Sequence, residues 1–190
     1  MLMVVDTREV YARSSDCFAE RVHVIGDRWA APTPLPGWDV RALVHHLVEE
    51  EVWAPPLLAG KTIAEVGDQF AGDLLGNDPT AAFDAAAAAA LDAVRAEGSM
   101  ERTVHLSFGD FPGQEYVMQL AADHLVHAWD LATALGVDDT LDAEAVEAVA
   151  TWFADREDAY RAAGAIGPRV EVPASASPQA RLIGSFGRTP

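Results

Sequence analysis

The chain has 190 residues, half of them hydrophobic, and carries 30 acidic against 13 basic side chains for a formal net charge of −17. That apolar content is enough for a sizeable core and argues against disorder, while the negative balance repels phosphate backbones and excludes nucleic acid and anionic membranes as partners. Cys17 is the only cysteine, which rules out an intramolecular disulfide and a cysteine-based zinc site; it is expected as a small buried residue of the first helix.

The opening "MLMVVDTREV" has no basic region ahead of an apolar core, and no stretch reaches the ~20 apolar residues of a membrane span, so a cytoplasmic protein is expected. Thr7–Trp29 is free of proline, and of glycine until Gly26, and predicts a long helix capped by Thr7. "AAPTPLPGW" must be a loop. Asp39 caps a second helix that Pro55 and Pro56 stop or kink after Ala54. "TIAEVGDQF" predicts one or two helical turns.

Asn77, Asp78 and Pro79 open a third helix, which runs through a string of alanines and closes at Gly98. "RTVHLSFGDF" is β-branched at its start and alternates, predicting a short strand or extended loop. Pro112-Gly113 lead into a fourth helix that ends at Gly136. A fifth is expected from about Asp142 to Ala163. The tail is extended around Arg169–Val172, and Ser177 is placed to cap a last short helix ahead of Pro178. The expected fold is all-α: one helical domain over 1–190, with a four-helix bundle over about 7–164 and a packed extension over 165–190.

Titratable groups concentrate on two helices. The second carries His45, His46, Glu49, Glu50 and Glu51; the fourth carries Asp123, His124, His127 and Asp130. Residues four apart share a helix face, so Asp123 pairs with His127, and His46 with Glu50. A carboxylate and an imidazole one turn apart, joined by a histidine from a facing helix, make a three-ligand metal site with open positions. At ~100° per residue, the apolar stripe of the second helix centres on Leu43, Val44 and Leu47, which places His46 beside it and His45 nearly opposite. On the fourth helix His124 sits at the stripe's centre, with His127 and Asp123 towards its edge, and periodicity does not choose between the two histidines. Glu49–Glu51 is expected to be a solvated face, and His23 and His105 to be structural or exposed. The chain lacks a phosphate-binding glycine loop, a nucleophile elbow, a His-Glu-x-x-His zinc motif and a dinucleotide fingerprint, and no serine or cysteine triad can be assembled.

"GWDVRALVHHLV", "ADHLVHAWDLATALG" and the closing "RVEVPASASPQARLIGSFGRTP" together resemble a large actinobacterial family of the DinB-like superfamily. That family is similar to the N-terminal metal-binding domain of mycothiol-dependent maleylpyruvate isomerase. The resemblance implies a DinB-like four-helix bundle holding one divalent ion, zinc or nickel. Its ligands would be His46, Asp123 and His127, with aspartate where the isomerase has glutamate and with His124 or Glu50 as additional candidates. It further implies a transferase or isomerase that uses mycothiol or another low-molecular-weight thiol against a small electrophilic substrate. Trp38, Trp53 and Trp129 lie near the ligand segments and are expected to pack in the core, with pocket walls as the alternative. Arg41 and Arg102 are candidate contacts for a substrate carboxylate. Asp130 is then expected as a carboxylate supporting the ligands. The competing readings are a bundle that binds a metal or small ligand without catalysis, and an interaction module that dimerises through its Ala-rich helix face.

Overall fold

A computed structural model of the chain describes residues 6–190. The reading of the first ten residues as lacking a signal peptide falls partly on residues 1–5, which lie outside the described ones. Eight helices and one small hairpin follow in order: α1 (Thr7–Val22), α2 (Val40–Leu58), α3 (Ile63–Val66), α4 (Pro79–Arg95), β1 (Thr103–Leu106), β2 (Gly109–Pro112), α5 (Gly113–Leu135), α6 (Ala143–Phe153), α7 (Glu157–Ala162) and α8 (Pro178–Ser185). The mostly helical architecture matches the all-α expectation. Within the described residues, no helix is long and apolar enough to cross a membrane.

Helices α1, α2, α4 and α5 form the bundle. α1 packs most extensively on α5, and α2 on α4; contacts of α2 with α5 and of α1 with α4 close the ring. The stripe read from α2 is the buried one, since Leu43, Val44 and Leu47 are fully inaccessible. Phe18, Phe83, Leu120 and Leu125 meet them in the core, where removing a Leu or Phe side chain costs about 2–5 kcal/mol. Cys17 is buried as expected. Caps read from the sequence are present at Asp39, Asp78 and Ser177, each accepting from a backbone N–H three residues on.

Several boundaries differ from expectation. α1 is capped by Asp6, whose side chain accepts from the Arg8 N–H, and not by Thr7. It ends at Val22 instead of running to Trp29, because the chain turns through Gly26 at φ +63 and delivers Ile25 to the core. α2 runs through Pro55 and Pro56 to Leu58. Proline removes backbone hydrogen bonds, but the burial of Leu57 and Leu58 holds the extra turn in place. The fifth expected helix is two: Arg156 turns back to donate to the Trp152 carbonyl at 2.7 Å, and α7 starts afresh beyond it.

The acidic run is split. Glu49 is exposed, whereas Glu51 is fully buried. The expectation of a solvated face therefore fails at Glu51, which faces α5 and lies 2.9 Å from His124 Nε2.

The β1–β2 hairpin pairs Thr103 with Pro112 and Leu106 with Gly109. It feeds directly into α5 through Gly113. A Cβ there would stand 1.9 Å from the Ser99 carbonyl oxygen, so only glycine allows α5 to start against the 99–100 turn. Gly113→Ala should lower stability by about 1–3 kcal/mol, as overpacked sites do, read as a reduced midpoint in chemical denaturation with an unchanged slope.

Candidate metal centre

The facing walls of α2 and α5 bring three of the predicted side chains together. His46 Nε2 lies 2.8 Å from Asp123 Oδ2, and His127 Nε2 lies 3.4 Å from Asp123 Oδ1. One donor atom from each of His46, Asp123 and His127 falls within 4.8 Å of the others. Two donors each about 2.1 Å from a shared tetrahedral ion are about 3.4 Å apart; the His127–Asp123 pair has that separation, and the His46–Asp123 pair, at hydrogen-bond distance, would open slightly around a divalent ion. The aspartate reaches both histidines although it is a methylene shorter than glutamate: each of its oxygens faces one imidazole.

His127 is held from behind. Its Nδ1 lies 2.9 Å from Asp130 Oδ2, and Asp130, fully buried, receives the Arg188 guanidinium at 2.9 Å. A carboxylate on Nδ1 orients the ring and directs Nε2 at Asp123, an arrangement common behind metal-bound histidines. Asp130 thus stands between His127 and Arg188. Arg188, in the tail, was not singled out from the sequence, because nothing local in "FGRTP" reports a partner 58 positions away.

Charge on the triad follows from these contacts. Burial alone would raise the Asp123 carboxyl, but the His127 and His46 imidazoles outweigh it and hold the group well below the usual carboxylate range. Burial lowers His127, and Asp123 together with Asp130 overcomes this, raising it from 6.5 to about 9. Asp130 is likewise lowered, His127 and Arg188 outweighing its burial.

His124 does not join the triad. Its Nδ1 donates to the Leu120 carbonyl at 2.8 Å and its Nε2 faces Glu51, both side chains being inaccessible, so the centre of the apolar stripe points into the core. Glu50 lies beside the triad and lines the same cleft as His46 and Asp123. Burial, and then the Asp123 charge, push it up to about 6.

The three tryptophans separate. Trp38 covers the ligand face, its ring 5.3 Å from His46 and stacked 6.3 Å from His127. Trp53 packs on Phe70, and Trp129 is buried in the core. Arg41 is paired with Asp73 at 3.0 Å, and Arg102 donates to the Leu58 carbonyl at 2.8 Å. His23 and His105 pair with Asp84 and Asp110 at exposed positions, as expected.

A cleft of about 1210 Å³ opens on His46 and Asp123. The hairpin contributes Phe108 and Phe111 to its wall, α5 contributes Glu115, Tyr116 and Gln119, and the α7 region contributes Arg156 and Tyr160. Alternation hinted at the hairpin, but no sequence pattern placed it against α7.

The fold and site are those of a helical bundle with a two-histidine, one-carboxylate cluster beside an open cleft. The model of the family described as the mycothiol maleylpyruvate isomerase N-terminal domain matches residues 11–132, and the chain belongs to that family. It is 32% identical over 197 residues to uncharacterised proteins of Mycobacterium tuberculosis from strains CDC 1551 and H37Rv, covering 97% of this chain and 99% of each relative. No solved structure matches the chain at a significant level.

The pH behaviour of the metal-free protein follows from His127. A group whose folded pKa is raised contributes stability that is fully present below its unfolded value and is lost as pH rises through the folded value. Stability should therefore fall between pH 6.5 and about 9, and Asp123→Asn, which removes the carboxylate facing both histidines, should flatten that slope in urea denaturation series.

Proposed function

We propose that the protein binds one divalent ion through His46, Asp123 and His127 and catalyses a thiol-dependent transfer or isomerisation on a small electrophilic molecule. The convergence of the three donor atoms, with His46 and Asp123 at the cleft, carries this reading, and membership of a family described by a mycothiol-dependent isomerase supplies the thiol. A bound divalent ion would lower the pKa of a coordinated thiol and make nucleophilic sulfur available near pH 7.

The chain's own groups prepare that chemistry. Asp130 and Arg188 hold the Nδ1 side of His127, so that Nε2 would coordinate on giving up its proton to an arriving ion. Three protein donors leave coordination positions for an exogenous ligand. Trp38 shields the two imidazoles on one side, and the cleft admits a second molecule on the other. The phenol of Tyr160, pushed up to about 12 by burial and then by Glu115, keeps its proton and remains a hydrogen-bond donor at neutral pH.

Purified protein should carry close to one equivalent of a divalent ion by elemental analysis. His46→Ala and His127→Ala should lose it while keeping helical circular dichroism, and the loaded protein should conjugate mycothiol to electrophiles that it leaves untouched after chelation. A chain without stoichiometric metal, with both variants indistinguishable from wild type, would overturn the reading. Supporting contacts of this kind contribute about 10–100-fold to metal affinity, so Asp130→Ala should weaken binding by that factor, with Arg188→Ala changing it in the same direction in a competition titration with a chromogenic chelator.

A further inference from the structure

The wall of the cleft has a composition of its own. Apolar and aromatic surface comes from Phe108, Phe111, Tyr116 and Tyr160, and the α7 end adds only small side chains, Ala159, Ala163 and Ala165. Four carboxylates line it, Glu50, Glu115, Asp123 and Asp155, against a single arginine and no lysine.

That arginine is committed. Arg156 grips Glu115 with two parallel hydrogen bonds, Nε to Oε1 at 2.8 Å and Nη2 to Oε2 at 2.9 Å. It also donates to the Trp152 carbonyl and lies over the Trp152 ring at 5.0 Å. Three of its five N–H groups are used in this way, and its charge is already met by the Glu115 carboxylate. Two further arginines near the triad are also engaged: Arg188 with Asp130, and Arg41 with Asp73 and the Gly76 carbonyl outside this cleft. A negatively charged ligand body would meet Glu50 and Asp155 with no free cation to receive it, and like charges brought together in a partly desolvated site act against binding. Aromatic faces beside carboxylates favour the opposite sign, or none.

We propose that this cleft receives the flat apolar body of a substrate that carries no negative charge there, an uncharged or amine-bearing ring. The proposal rests on the thiol-transfer reading only in placing the substrate's reacting end at the triad. It differs from the chemistry in the family's description, since maleylpyruvate is a dicarboxylate and the one arginine of this cleft is already paired with Glu115.

The experiment uses three ligands that share a naphthalene ring and end in hydroxymethyl, aminomethyl or carboxylate. Their binding to the metal-free protein is measured at pH 7.5 by calorimetry or ligand-observed NMR, so that no added ion can capture the carboxylate. The alcohol and the amine should bind at least several-fold more tightly than the carboxylate. The double variant Glu50→Gln/Asp155→Asn should narrow that gap. Ala163→Trp, at an exposed position on the cleft wall, should abolish binding of all three by filling the space. Equal affinity for the three ligands, a gap unchanged in the double variant, binding that survives Ala163→Trp, or no binding of any of them to folded protein would each overturn the proposal. None of these readouts involves metal or thiol, so failure of the transfer chemistry and failure of the cleft's charge preference are separately visible.

Discussion

The Asp123 carboxylate faces an imidazole from its own helix with one oxygen and an imidazole from α2 with the other. This constrains more than the site. His46 and Asp123 are 77 positions apart, so the contact fixes the height of α2 against α5. A shift of α5 by one residue would rotate its titratable groups by about 100° and carry Asp123 away from the cleft. Bundle packing supplies the hydrophobic free energy, but apolar surfaces tolerate small displacements more readily than a carboxylate placed between two rings. The register of the two helices and the geometry of the cluster are therefore one requirement.

The same helices carry a second histidine–carboxylate pair with the opposite character. His124 and Glu51 are inaccessible, meet at 2.9 Å, and have Tyr11 and Phe18 edge-on to the imidazole. Glu51 Oε2, Tyr11 Oη and Ser14 Oγ find no partner among the described protein groups. A buried pair of this sort adds little net stability over an apolar replacement, but loss of one partner leaves the other stranded. α2 and α5 are thus joined by one polar contact that faces the cleft and by another sealed in the core.

Much of this was legible in the sequence, and the failures have physical causes. Leu43, Val44 and Leu47 identified the inner face of α2 and put His46 beside it, because helical period alone determines which way a side chain points. Period could not separate His124 from His127. Both are buried, and the difference lies in what each meets: a buried glutamate for one, and for the other Asp123 at the cleft with Asp130 buried behind. Glu51 was misread because a run of three acids resembles a surface, and nothing local reports a buried histidine 73 positions downstream. The break between α6 and α7 was missed for a similar reason. Arg156 is a good helix former, and only its contacts with the Trp152 carbonyl and with Glu115 turn it into a corner. Arg188 lay beyond any local signal.

The line from Arg188 through Asp130 to His127 also has a consequence for the tail. α8 packs closely on the preceding strand of chain, with Val170 N–H donating to the Gly184 carbonyl at 2.9 Å and no room for a Cβ on Gly184. Phe186 stacks on Phe153 at 4.0 Å. Coupling between two sites is reciprocal: whatever free energy the docked tail lends to an ion at the triad, the ion returns to the docking of the tail. Occupancy of the cluster would then be legible at a distance, as a firmer equilibrium docking of residues 165–190 on the bundle, and the extension would report on whether the cluster is filled.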